Sequence, residues 1–376
     1  MRTFLLILII SFANQAVAFQ KIEGTAGTDI YAKAIAQFVY PWAMTFVTHE
    51  QLLVTTKPGL LWLVSKEGRK KQVVGVPKPI VSGQGGLGDV VAHPDFDKNK
   101  FIYLSLVQSG DNGATRSAVV MRGKLILSDT PEIIDLETVW TQMPDRRGAG
   151  HFSHKLAFGP KGSEHEGKLF ITSGDRQEKM VAQRWDMALG KIIRLNDDGS
   201  LPADNPFQDR GDLAKSFWTL GHRNMLGIAF DAENKLWANE MGPKHGDELN
   251  LIERGQNYGW PIVSNGDNYD GTTIPDHDTR SEFFAPKAYW VPTIAPSGLV
   301  IYSGKHFLKW QGAAFMGGLK SRALIRVEIE GKAVREAERF QWGKRIREVE
   351  EGPDGLLWVL EDDTEGRLIK IKSPKP

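Results

Sequence analysis

The chain has 376 residues, 41% of them hydrophobic and 25% charged, with 39 Gly, 19 Pro and no Cys. This composition excludes disorder, collagen and a many-span membrane protein, and the missing cysteine removes disulfides, thiolate metal sites and Cys nucleophiles together. With 47 Lys and Arg against 46 Asp and Glu, no global field recruits nucleic acid.

Residues 1–18 read as a cleavable signal peptide. Arg2 precedes the apolar run Phe4–Ile10, and small and polar residues then lead to Ala16-Val17-Ala18. A basic start, a short apolar core and an A-x-A site make a secretory leader, whereas a membrane anchor needs about 20 apolar residues. Residues 19–376 are then expected as a single domain, periplasmic or secreted. No Cys follows the cleavage site to take a lipid.

Beyond the leader a pattern recurs: a short apolar strand, a turn and a second strand. Copies begin near 52, 100, 168, 235, 313 and 356, a mean step of roughly 61 residues against about 40–50 for a four-stranded propeller blade. Gly352–Leu360 with Gly366–Lys370 is the clearest copy. Such segments are β-branched or aromatic and bounded by Asn, Asp, Gly and Pro, while helical periodicity is almost absent. The pattern predicts an all-β fold, a six-bladed β-propeller of four-stranded blades, with the excess length in loops such as 256–300. A pair of β-sandwiches is the competing architecture.

Taken in order, the motifs have plain explanations one by one. Gly83–Gly88 contains G-x-G-x-x-G, but Asp89-Val90-Val91-Ala92-His93-Pro94 follows as strand, which excludes a dinucleotide fold. A loop that brings backbone and Gln84 to a ligand competes with an ordinary inter-blade loop. His151 and His154 lack an evident third ligand for zinc, and a single His as general base is the better reading. Asn196-Asp197-Asp198-Gly199 is a hairpin turn rather than half a calcium loop. Arg223 and Asn224 sit side by side in a loop. Lys320, Arg345 and Arg347 add cations from other repeats, and Arg345 and Arg347 alternate on one strand face. Asn239–Glu248 carries a Gly242-Pro243 turn whose carbonyls and nearby carboxylates suit a hard cation. A surface strand and turn chemistry explain these equally well in isolation.

Together they form an ordered series. GQGGLGD and AHPDF at Gly83–Phe96, HFSHKLAFGP at His151–Pro160, SGDR at Ser173–Arg176, GHRNMLGIAF at Gly221–Phe230, GPKHGDELN ending at Asn250, NYGWP at Asn257–Pro261, PTIAPSGLVIYSG, GLKSR and RIREVEEGPDG run through residues 40–371. The series resembles the soluble, pyrroloquinoline quinone (PQQ) dependent aldose and glucose dehydrogenases, the glucose/sorbosone dehydrogenase family. That resemblance implies a six-bladed propeller that oxidises aldoses at C1 to the lactone, with PQQ and Ca2+ as cofactors. It implies His151 as the catalytic base, with Asp175 on a proton path and Arg223 beside it. It implies Gln84, Arg223, Asn224, Thr293, Lys320, Arg345 and Arg347 as PQQ contacts. The carbonyls of Gly242 and Pro243 are implied as ligands of the calcium that touches PQQ, and Glu248 and Tyr258 as a second, structural calcium site. Implied partners are a small aldose and an electron acceptor of unspecified kind, with no nucleic acid and no membrane span, in a monomer or homodimer. Met225-Leu226 stands where the family usually has Pro-Gln, and Met241 replaces a polar residue. The competing functions are a calcium-dependent propeller lactonase, which needs no cation cluster, and a propeller that binds sugar without chemistry.

Overall fold

A computed structural model describes residues 19–110, 113–331 and 333–372, so the expected leader lies outside the described residues. The chain opens with β1 (Gln20–Glu23) and β2 (Asp29–Phe38), which are set aside for the end of the molecule. Blade 1 follows as β3 (Pro41–Phe46), β4 (Gln51–Thr56), β5 (Leu61–Ser65) and β6 (Lys70–Val73). Blade 2 comprises β7 (Leu87–Ala92), β8 (Phe101–Ser109), β9 (Arg116–Ile126) and β10 (Glu132–Thr141). Blade 3 comprises β11 (Ser153–Phe158), β12 (Lys168–Ser173), β13 (Lys191–Asn196) and β14 (Phe217–Leu220). Blade 4 is β15 (Met225–Phe230), β16 (Leu236–Glu240), β17 (Asp247–Ile252) and β18 (Ala288–Trp290). Blade 5 is β19 (Pro296–Ile301), β20 (Ala314–Gly318), β21 (Ala323–Glu330) and β22 (Ala333–Gln341). Blade 6 takes β23 (Ile346–Glu351), β24 (Leu357–Glu361) and β25 (Gly366–Lys372) from the C-terminal end, then adds β2 and β1 as a fourth and fifth strand. β2 runs antiparallel to β25, with Ala34 opposite Ile369 and Phe38 opposite Gly366, and this pairing closes the ring. The six-bladed propeller is the fold, and the sandwich pair is excluded.

The core is six layers between neighbouring blades. On β8, Ile102, Leu104 and Leu106 pack toward blade 1 while Tyr103 and Val107 pack toward blade 3. On β24, Leu357 and Val359 face blade 5 and Trp358 and Leu360 face blade 1. A strand covered on both faces has no polar side, so it reads as a continuous apolar run. That explains which strands the repeat had captured: β4, β8, β12, β16, β20 and β24, each the second strand of its blade, with the third strand after it.

The innermost strands follow a different rule. Each of the six has a register break against its neighbour: Pro41/Ala43, Leu87/Val90, Ser153/Leu156, Met225/Gly227, Ser297/Leu299 and Ile346/Glu348. A β-bulge bends the strand and re-aims the extra side chain. The extra residues include Trp42, His154, Leu226 and Arg347, and these four line one cavity at the mouth of the ring. The bulge is the device that turns a repeated scaffold toward a site.

Candidate active site

The cavity holds about 670 Å3, well within the range of a cofactor or small-ligand site. Its cationic wall comes from blades 1 and 6. Arg345 and Arg347 both donate to Oδ2 of Asp362, at 2.7 and 2.9 Å, and the Arg347 guanidinium lies 4.1 Å from the Trp42 ring centre. The buried Arg347 Nε has no hydrogen-bond partner. Lys57 lines the same wall and donates to the Gly83 carbonyl at 2.6 Å. Leu226, Met241, Ala295 and Leu319 add an apolar wall from blades 4 and 5. Gln84, Phe152, Ser153 and Asn224 complete the lining toward blades 2 and 3.

Beside Gln84 the backbone is strained. His151, Ser153 and His154 have φ of 46°, 59° and 54°, left-handed values that cost of order 1–3 kcal/mol per non-glycine residue. The surroundings hold them there. Gln84 Oε1 accepts the His151 N–H at 2.7 Å, Gly174 N–H donates to Phe152 O at 3.2 Å, and Arg176 donates from Nε to Gly150 O at 3.0 Å. The Arg176 guanidinium also stacks 3.8 Å from the Phe152 ring centre.

The His151 imidazole meets Asp175, Nδ1 to Oδ1 at 2.7 Å. Asp175 is almost fully buried and also accepts from Trp260 Nε1 at 2.8 Å and from the Gln177 N–H at 2.8 Å. With the carboxylate accepting at Nδ1, that nitrogen bears the proton and Nε2 is the basic one. His151 is not itself among the cavity's lining residues; it stands at the edge, 7% exposed, tethered to Gln84, which does line it. His154 plays another part. It is bound to Ser105 Oγ at 2.7 Å through Nδ1, and burial pushes its pKa down to about 3, so it is a neutral wall residue.

Arg223 lies one layer back. Its N–H donates to Glu240 Oε2 at 2.7 Å, its Nη1 to Met241 O at 3.0 Å, and it stacks over Trp260 at 5.3 Å. It shares with Glu240, Gly242, Glu248, Tyr258 and Trp260 a second cavity of only about 10 Å3, the room of one water-sized atom. Glu248 is buried there. Its Oε2 accepts from Asn250 at 3.1 Å, its Oε1 lies 3.3 Å from His277 Nε2, and burial, with the Glu240 charge nearby, raises its pKa. Two buried carboxylates around an atom-sized space, with the Asn250 Oδ1 unpartnered, are a donor set that fits a hard cation. Among the described residues no three His, Cys, Asp or Glu side chains converge on one point, so such a cation would need carbonyl oxygens as well. The Tyr258 hydroxyl is engaged elsewhere, donating to Leu251 O at 2.5 Å, which leaves that residue only its carbonyl to offer.

The structure therefore gathers Gln84, Asn224, Arg345 and Arg347 on one cavity, places His151, Asp175 and Arg223 just behind it, and puts Gly242, Glu248 and Tyr258 around the small space. Pro243 is buried in the turn after β16, outside both linings. Asn224 is sealed, its Oδ1 accepting from Ser153 at 3.2 Å and its Nδ2 covered by Met241 sulfur at 3.8 Å. Thr293 lies outside the cavity lining, its side chain bonded to Asp247 and its N–H 3.3 Å from His245 Nδ1. Lys320 is exposed in the turn between β20 and β21 and does not line the cavity. Sequence reasoning missed Trp42, Lys57 and Asp362, which no motif marked.

Comparison with known proteins identifies the family. The family model for glucose/sorbosone dehydrogenase matches residues 38–370. The aldose sugar dehydrogenase YliI of Escherichia coli is 39% identical over 346 residues, covering 89% of this chain and 90% of that one. Quinoprotein glucose dehydrogenase B of Acinetobacter calcoaceticus is 27% identical, covering 88% of this chain and 84% of that protein. The crystal structure of the soluble aldose sugar dehydrogenase of Escherichia coli in the apo form superposes with a TM-score of 0.86 at 36% identity, covering 92% of this chain and all of that one. With a matching family model over most of its length and sugar dehydrogenases as its relatives, the chain belongs to the glucose/sorbosone dehydrogenase family.

Proposed function

We propose that the protein is a PQQ- and calcium-dependent aldose dehydrogenase, exported to the periplasm or beyond on its N-terminal leader, that oxidises the anomeric hydroxyl of aldoses to the lactone. The observation that supports it most is the excess of positive charge in a large, partly aromatic cavity beside a His–carboxylate pair. The relative from Acinetobacter is named a quinoprotein, and PQQ is a planar tricarboxylate that such a wall suits. PQQ, when bound, supplies the quinone that accepts two electrons as a hydride from the sugar C1.

This chain's residues handle the proton and the charge. His151 Nε2 takes the proton of the C1 hydroxyl, and Asp175 holds the ring in the tautomer that leaves Nε2 free and stabilises the imidazolium that forms. Trp260 keeps Asp175 in place through its indole N–H. Arg345 and Arg347 hold ligand carboxylates, and the apolar wall of Leu226, Met241 and Leu319 excludes water from the reacting face. Glu248, with carbonyl oxygens such as those of Gly242 and Tyr258, would hold a calcium ion that braces the Arg223 loop.

Apo protein supplied with PQQ and calcium should reduce a dye in the presence of aldoses, and a chelator should stop it reversibly. Calcium-dependent ester opening without dye reduction would identify a lactonase instead.

A further inference from the structure

The cationic wall has a member that no motif announced. Lys57 sits at the β4–β5 turn of blade 1 and lines the large cavity beside Arg347. Its ammonium is fixed by the Gly83 carbonyl at 2.6 Å and lies 6.0 Å from the Trp42 ring centre. The two arginines share one carboxylate, Asp362, and the neighbouring Asp363 is taken by Lys344 at 3.0 Å. Lys57 has only a carbonyl. The cavity lining thus carries three cations against two acids, Asp362 and Asp363, of which the second is already paired with Lys344, and these groups come from segments nearly 300 residues apart in sequence. Burial lowers the Lys57 pKa and the Arg347 charge lowers it further, while the Asp362 charge works the other way. Repelling cations brought together at a cavity wall are offset by an anionic ligand. Lys320, by contrast, stands exposed outside this lining.

We propose that Lys57 is an anion-binding residue, forming with Arg345 and Arg347 a three-cation ridge across blades 6 and 1 that grips the carboxylates of a planar polyanion. The assignment rests on the PQQ reading for the identity of that ligand but not for its chemistry. It also gives the Gly83–Gln84 turn a second use: the carbonyl of Gly83 aims the ammonium while Gln84 anchors His151.

The test is a titration of apo protein by quenching of tryptophan fluorescence with PQQ. In parallel, thermal shifts are recorded with benzene-1,3,5-tricarboxylate, a polycarboxylate without a quinone. Lys57→Gln keeps a donor for the Gly83 carbonyl but removes the charge, and Lys57→Arg keeps both. Lys57→Gln should weaken PQQ binding by roughly 10- to 100-fold, as expected for one charge-assisted contact. Lys57→Arg should remain near wild type, and Lys320→Gln should cost less than Lys57→Gln. Circular dichroism and the melting temperature show that each variant is folded. If wild-type protein ignores PQQ but is stabilised by the tricarboxylate, and Lys57→Gln loses that stabilisation, Lys57 stands and the cofactor reading falls. Equal affinity of wild type and Lys57→Gln for both ligands, or binding of neither by wild type, overturns the assignment.

Discussion

The two sides of the ring mouth are built from opposite charges. On blades 6 and 1, Arg345 and Arg347 share one carboxylate, Asp362, and Lys57 is bonded only to the Gly83 carbonyl. On blades 3 and 4, Asp175, Glu240, Asp247 and Glu248 are buried among His151, His222 and His277, with Arg223 the cation between them. The basic side is short of anions and is open to the cavity. The acidic side is nearly self-satisfied, its carboxylates bonded to imidazoles, amides and main-chain N–H groups. The contrast separates the two tasks of the proposed reaction: one side recognises a ligand by charge, and the other handles a proton and holds a cation.

The strongest way to test the acidic side is His151→Ala. Turnover should fall by about 10²–10⁴-fold, the usual worth of a general base, while PQQ affinity changes little. Stopped-flow reduction by glucose or other aldoses at the wild-type rate would move the proton to another residue. On the basic side, Arg345→Ala with Arg347→Ala should weaken PQQ by about 10²-fold. Two charge-assisted contacts are worth more in isolation, but both arginines are already partly satisfied by Asp362. Excess PQQ should partly rescue dye reduction, and an unchanged titration would make the pair an ordinary surface feature. A smaller effect is expected from Glu248→Gln, which should lower the melting temperature in calcium more than it lowers quinone reduction. Identical melts in calcium and in chelator for wild type would remove the cation from this side.

The least effect tests the boundary between the sides. His154 is neutral in the folded chain, its pKa near 3, and protonates near 6.5 when unfolded. A depressed folded-state value gives stability that is intact above 6.5 and drains as pH falls from there toward 3. His154→Gln should therefore flatten the acid limb of the melting temperature between those values. Parallel limbs for the two proteins would mean that other groups govern acid unfolding.

How much of this was legible depended on what each strand touches. The second strands were readable because both faces are apolar, as in Phe101–Leu106. The inner strands were not counted as repeats, because the bulge breaks their alternation and the axis takes charge. Asp89, Lys155 and Glu348 come from β7, β11 and β23, with Lys155 bonded to Asp89 at 2.8 Å and to Glu348, whose pKa burial raises to about 7. An ion triad spread over blades 2, 3 and 6 has no local signature. The site divided likewise. His151 and Arg223 sit in distinctive loops, and the ordered motifs located them. Trp42, Lys57 and Asp362 lie in ordinary turn and strand sequences and acquire meaning only when the first and last blades meet. Lys320 was conspicuous in its motif yet is exposed and not among the residues that line the cavity.

The meeting of those blades has a consequence for when the molecule can exist. Among the described strands β25 comes last in chain order, and its partner β2 comes second. Blade 6 cannot be completed, nor the basic wall assembled against Trp42, until residues 366–372 have left the ribosome. Long-range pairing of this kind is slow to form. Until then the ring stays open at the β2–β25 seam. Loss of the final strand by truncation would unfasten both ends of the ring at once.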